Sequence, residues 1–406
     1  MEARDGSRIR RRAAGRLGAA GMLALAGGSV GSGRSAAYAQ VAGPQVTIAE
    51  FQLPRPDALP GGLIVGPDRA LWFHQSGANS IGRITMDGRI GDFAIPTPDS
   101  SIPRQGFLGL GPDGAIWFTE TRANKVGRLS PSGEFAEYPI PTAVPFQNPQ
   151  LGTVQTSFPI GITAGPAGAV WFAEGEAHKL GRIVPGAPGG SLTEFPLPES
   201  LTRPMGPIVG PDGALWFTAR GTNRVGRMTL DGQTTGYDIP TPASGPLRLI
   251  AGPDRALWFA ESGANKIGRL ALDGIFSEYA APDMGPVHLT IGPDRAIWFT
   301  GYNSNEIGRL ALDGSLMRYP VPTPDSQPYQ IVVGPDGAIW FTEIQGNKIG
   351  RLQLTGLQLP RTGGRQGVSV WPLALASLGA AGVGLALRRR RGRDANRDRF
   401  LPGGGR

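Results

Sequence analysis

The 406-residue chain has no cysteine and three histidines. Without cysteine there is neither a disulfide framework nor thiol chemistry. His74, His178 and His288 fall in different parts of the chain, with no spacing that suits a metal. No Ser-centred nucleophile motif occurs. An excess of one charge is also missing once the ends are set aside. Residues 1–39 hold 7 Arg against 2 acids and residues 363–406 hold 9 Arg against 2 acids, whereas residues 40–362 carry 24 basic against 28 acidic side chains. The formal +8 therefore belongs to the termini, and a basic nucleic-acid-binding face is not expected.

What is present is repetition. Trp72, Trp117, Trp171, Trp216, Trp258, Trp298 and Trp340 each begin a Trp-Phe pair, at spacings of 45, 54, 45, 42, 40 and 42 residues. A Gly-Pro turn precedes each pair, and an Ile/Val/Leu-Gly-Arg triplet follows about ten residues later. In the last unit, Gln330–Val333 is a short β-prone run. Gly334-Pro335-Asp336-Gly337 is a turn in which Pro sets φ and Gly takes the left-handed position. Ala338–Thr342 is a second strand and Ile349–Leu354 a third. Complete units add a fourth, such as Glu134–Ile140. Four short antiparallel strands repeated at this period predict an all-β, seven-bladed β-propeller. The first fourth-strand copy, Val46–Leu53, precedes the first Trp-Phe unit, while the last unit ends near Leu354 without its own. The N-terminal strand is therefore expected to complete the last blade and leave no open edge.

The two ends read as address signals. Residues 1–39 have a basic start at Arg8, Arg10, Arg11 and Arg12, an apolar stretch from Leu17 to Ala26, and a small-x-small site at Ala37-Tyr38-Ala39. This is the pattern of a secretory signal peptide. Propeller residues 40–355 are followed by a linker and motif at 356–363, then by 364–406. Leu359-Pro360-Arg361-Thr362-Gly363, the apolar stretch Val368–Leu387 and Arg388–Arg391 stand in that order. The order resembles the sortase sorting signal of Gram-positive bacteria. Twenty apolar residues suffice for one transmembrane helix, and the Arg cluster is expected to stay cytoplasmic. The resemblance implies cleavage after Thr362 by a sortase and attachment to the cell wall.

Chemistry is expected at one mouth of the channel. Two residue sets should share that rim. Gly61, Gly106, Ile160, Met205, Leu247, Val287 and Tyr329 head the inner strands, and Gln75, Glu120, Glu174, Ala219, Glu261, Gly301 and Glu343 close the Trp-Phe strands. The first set offers no carboxylate or imidazole, which argues against a metal at the channel centre. The four glutamates recur with a loop Lys and with Arg128, Arg182, Arg269 or Arg351, the pattern of a repeated ion pair or loop hydrogen bond. His178 replaces a loop Asn and is expected at the surface. His74 ends a Trp-Phe strand and could face the rim. His288, on an inner strand, is the candidate for proton transfer.

Gly334–Glu343, Asn347–Arg351, Glu137–Thr142 and Ile239–Pro242 together resemble the repeat of the streptogramin B lyase (virginiamycin B lyase) family, over about residues 46–355. The resemblance implies this fold and an elimination, with Mg²⁺, that opens the ester ring of cyclic depsipeptide antibiotics. It also implies a histidine after the Pro of the last inner strand, where this chain has Tyr329, and an acid before that Pro, where it has Gln327. A second histidine corresponds to Val287, a rim tyrosine to Gly61, and a last-blade glutamate to Ile344, one place after Glu343. Counting from the Gly292-Pro293 turn places Val287, and not His288, at the equivalent position, because strand side chains alternate in direction.

The sequence thus predicts an exported, cell-surface propeller. It is expected to be a monomer that works as a binding or interaction module for an unknown ligand at its mouth and lacks the family's histidines. The alternative is a Mg²⁺-dependent C–O lyase that linearises type B streptogramin-like depsipeptides with relocated residues, His288, Tyr329 and Glu343. A metal-dependent lactonase on the same scaffold is a third class, disfavoured by the apolar channel mouth.

Overall fold

The computed structural model describes residues 44–102, 106–149, 151–186 and 191–355. Seven four-stranded antiparallel sheets follow one another along the chain, the seven blades of a propeller. In blade 6 the strands are Pro286–Ile291, Ile297–Gly301, Glu306–Leu310 and Leu316–Pro320, from the innermost outward. Blade 7 takes Pro328–Val333, Ile339–Glu343 and Lys348–Thr355 from the C-terminal side and Gln45–Gln52 as its outer strand. The eight pairs from Gln45↔Thr355 to Gln52↔Lys348 close the ring, one residue away from the expected strand limits. Between blades 2 and 3 lies an added hairpin, Val144–Asn148 with Gly152–Thr156, whose Phe146 packs on Phe158 with ring centroids 4.7 Å apart. The proposed signal peptide, sorting motif and transmembrane segment lie outside the described residues. Among the described residues no helix is long and apolar enough to cross a membrane.

Seven buried clusters lie between neighbouring blades, one per seam. Each Trp faces the next blade and each Phe the previous one, so the Trp-Phe strand is apolar on both sides. The Trp ring also stacks on an aromatic of its own outer strand, as Trp340 does on Phe51 at 5.4 Å and Trp298 on Tyr319 at 5.4 Å. The indole N–H is then left facing the turn. In six blades the turn Asp receives it: Asp68, Asp113, Asp212, Asp254, Asp294 and Asp336 accept from Trp Nε1 at 2.8–3.0 Å. Their second oxygens take the Gly-Arg guanidinium Nε at 2.6–2.8 Å.

Blade 3 breaks this clasp. Its turn reads Gly165-Pro166-Ala167-Gly168, with Ala167 in the left-handed region at φ 59°. Trp171 Nε1 and Arg182 Nε are both buried and have no hydrogen-bond partner. Orphaned buried donors of this kind cost about 1–3 kcal/mol each. Ala167→Asp is expected to supply the missing acceptor and raise stability by about 1–3 kcal/mol, read as a higher denaturation midpoint at unchanged m-value. An unchanged or lower midpoint would show that the altered turn, and not the missing carboxylate, sets the local energy.

Candidate functional site

The inner strands begin irregularly, and this shapes the channel mouth. In blade 6, Pro286 pairs with Gly301 and Leu289 with Phe299, so Val287 and His288 together oppose Thr300. Blade 5 does the same with Leu247 and Arg248, and blade 7 with Tyr329 and Gln330. Such a bulge adds one residue and re-aims its neighbours. Simple alternation therefore does not hold at this position, and residues on both sides of the count reach the mouth. Threonines of the second strands fix the strand starts. Thr300 Oγ1 donates to the Tyr329 carbonyl at 2.6 Å and Thr218 Oγ1 to that of Leu247 at 2.7 Å.

Arg248, His288 and Gln330 hold corresponding bulge positions in three consecutive blades. His288 meets Tyr329 edge-on, with ring centroids 5.0 Å apart. Phe107, from blade 2, comes within 6.2 Å of His288 and lies under the Arg248 guanidinium at 5.4 Å. Tyr302 lies 6.4 Å from Tyr329 and donates its hydroxyl to Gln327 Oε1 at 2.8 Å. The structure thus joins His288 and Tyr329 with three residues that the sequence reading did not single out: Phe107, Arg248 and Tyr302. One place after each head-of-strand residue, the chain reads Gly62, Phe107, Gly161, Gly206, Arg248, His288, Gln330 around the ring. Three glycines facing four large side chains are the signal that marks this arc.

Burial sets the charges here. The His288 imidazole is held well below its ordinary range by burial, and the nearby Arg248 cation acts the same way. It is neutral at pH 7. Burial pushes the Tyr329 phenol up to about 12, against the pull of Arg248 and Arg220. Arg248 is brought down by burial to about 10 and stays cationic. The cluster therefore joins the Arg248 cation, a neutral imidazole, the protonated Tyr329 phenol, the Tyr302 hydroxyl and two amides, with Arg220 also acting on Tyr329 and no carboxylate among them. A divalent cation prefers several oxygen anions and would meet Arg248 instead. Among the described residues no group of three or more His, Asp or Glu could hold a metal ion. The donor set does not fit Mg²⁺.

Glu343 is elsewhere. It is fully buried in the seam, and the groups acting on it are Glu50, Ser326 and Lys348. Glu120, Glu174 and Glu261 occupy the same place in their seams and are equally buried, so these four glutamates do not line the rim. The expected ion pairs are also redirected. Lys125, Lys179, Lys266 and Lys348 bind the outer-strand Glu137, Glu194, Glu278 and Glu50 at 2.7–3.0 Å, and the Gly-Arg guanidiniums of three of these blades bind the turn aspartates. Both oxygens of each seam glutamate lack a hydrogen-bond partner. Burial first, and the adjacent outer-strand carboxylate second, raise Glu120, Glu174 and Glu343 to about 8 and Glu261 to about 7.

The other two histidines make different contacts. His74 is buried beside Ser101, its Nε2 3.2 Å from that hydroxyl. A Cβ on Gly106 would collide with its ring. His178, half-buried, contacts the Gly175 carbonyl and accepts from the Arg203 amide. It stands where Asn79 and Asn124 pin the linker to the next blade.

The sequence model of the virginiamycin B lyase family matches residues 40–256, 146–285 and 202–363, overlapping stretches that span the propeller. A streptogramin B lyase structure is 38% identical, with a TM-score of 0.68 over 76% of this chain and 98% of that one. A catalytically inactive histidine-to-alanine variant of virginiamycin B lyase from Staphylococcus aureus, with quinupristin, is 36% identical, with a TM-score of 0.68 over 77% of this chain and all of that one. Virginiamycin B lyase of Bordetella pertussis is 38% identical over 55 residues, 14% of this chain and 18% of that relative's length.

The seam glutamates set a pH dependence. Their folded values lie above the ordinary 4.5, so the folded state binds more protons than the unfolded one. Their contribution is complete below 4.5 and is lost as pH rises through 7–8. His74 and His288 act oppositely, but below pH 6.5. The melting temperature is therefore expected to fall from pH 6.5 to 8.5, and Glu343→Gln should stabilise more at pH 8.5 than at pH 6.5. A flat profile, or an equal effect at both pH values, would contradict this account.

Proposed function

Because the chain belongs to the virginiamycin B lyase family yet has a phenol where the resemblance expects its key histidine, we propose that it is a cell-surface binding propeller. Its mouth recognises a small ligand and does not open cyclic depsipeptides by the family's route. The observation that carries this reading is Tyr329. A phenol at about 12 keeps its proton at neutral pH and acts as a hydrogen-bond donor, not a base. The neighbouring His288 has no carboxylate to orient it, and the donor set does not suit Mg²⁺. Binding at such a mouth needs only complementarity, and the fixed aromatic and cationic side chains supply it.

A second reading rests on the His288–Tyr329 contact. A neutral imidazole can accept a proton, and Arg248 could receive the carboxylate released as the ester C–O bond breaks and the C=C bond forms. Incubating the purified full chain with a type B streptogramin and Mg²⁺, with chromatography and mass spectrometry, separates the two. The binding reading expects unchanged retention. A product of equal mass and shifted retention, lost in His288→Ala, would establish the lyase instead.

Surface display rests on the sequence at 1–39 and 359–391. In a Gram-positive host, wild type is expected in the cell-wall fraction and Thr362→Ala in the membrane fraction. Equal fractionation of the two would contradict sortase attachment.

A further inference from the structure

The groups around the mouth favour one ligand chemistry. Arg248 is a cation set among protein groups, and no acid figures among the groups acting on it; the one that does is the Tyr329 phenol, which is uncharged at pH 7. Arg248 is half-buried; a cation partly withdrawn from water gains from a counter-charge, and here the protein supplies an aromatic face instead, the Phe107 ring at 5.4 Å. With its face on Phe107, the guanidinium keeps its edge N–H groups for a planar anion.

The polar groups beside it are mostly donors. Tyr329 keeps its O–H, and neutral His288 has one ring N–H to offer. Tyr302 has already given its hydroxyl to Gln327. One acceptor stands out. Gln330 Oε1 is buried and has no hydrogen-bond partner, although the backbone N–H of the same residue is held by Thr342 Oγ1 at 3.0 Å. Gln330 occupies the same bulge position as Arg248, two blades on. A ligand that satisfies both must present an anion and an N–H donor.

We propose that the mouth binds the C-terminal end of a peptide, its free carboxylate on Arg248 and Tyr329 and its terminal amide N–H on Gln330. This deepens the binding reading above and rests on it. An inorganic anion or acetate would satisfy Arg248 and leave Gln330 unpaired. A cyclic depsipeptide has no free carboxylate and would leave Arg248 without its counter-charge.

The test is calorimetric titration of the purified full chain with N-acetyl-alanyl-phenylalanine, the same peptide as its C-terminal amide, and acetate. The acid is expected to bind about tenfold or more tighter than the amide, since charge-assisted bonds to a guanidinium are the stronger kind. It should also bind tighter than acetate. Arg248→Gln should remove the preference for acid over amide, Arg248→Lys should keep part of it, and Gln330→Leu should weaken acid and amide alike. Folding of each variant is checked by its melting curve, and the Lys variant preserves the test should the Gln variant not fold. Equal binding of acid and amide, acetate as tight as the peptide, or a preference that survives Arg248→Gln would overturn the proposal. If neither peptide binds but an intact depsipeptide does, unaltered, the carboxylate inference fails and the binding reading stands. Linearisation of the depsipeptide would instead remove the binding reading itself.

Discussion

Each sheet of this ring is covered on both faces, so every polar atom carried into a seam must find its partner inside that seam. That requirement explains the repeat better than hydrophobicity alone. The Trp-Phe pair supplies apolar area to both neighbours, but the indole also brings an N–H, and the strand beside it brings a guanidinium. A single turn aspartate serves both in six blades. The loop asparagines do similar work between blades: Asn305 donates to the Val321 and Thr323 carbonyls and accepts from Ser326. Packing sets the spacing of the blades, and these shared side chains set their register.

The same requirement isolates the places where it is not met. Blade 3 loses its turn acid at Ala167 and strands two donors. The seam glutamates lose their cations to outer-strand acids that sit closer, and respond by holding their protons. Where the chain has no glutamate in that position, the local wiring changes with it. Blade 1 has Gln75 bonded to Ser80, blade 4 has Ala219 with Arg224 paired to Asp238, and blade 6 has Gly301 with the pair reversed as Arg318 on Glu306. These substitutions are coordinated, which marks the seam as one electrostatic unit per blade.

The fold was legible because repetition multiplies a weak local signal. One Gly-Pro turn before a Trp-Phe pair is only a turn, whereas seven at propeller spacing define an architecture and even its closing strand. The site was legible in part. His288 and Tyr329 could be named because each is a rare residue on an inner strand. Their meeting could not be read from the count, since the bulge opposite Thr300 lets both Val287 and His288 face residues that strict alternation would separate. Phe107 was invisible for another reason: it reaches Arg248 and His288 from blade 2, and no sequence spacing reports a contact through the channel. The seam glutamates were misassigned because co-occurrence within a repeat does not say which acid a lysine prefers.

The contrast between seam and mouth bears on what this propeller has become. In the seams, unmet polar groups recur from blade to blade, and repetition ties them to the framework. At the mouth, the unmet groups are single. Arg248 has no counterpart at the equivalent position of the other six blades, and Gln330 has none either; glycine holds that place in blades 1, 3 and 4. A framework built from copies has no structural use for one uncompensated cation and one orphan acceptor on the same arc, because the glycines show that the ring closes without any side chain there. That asymmetry on a symmetric scaffold, with charge left open on one side of the channel, is what the proposed binding reading sets out to explain.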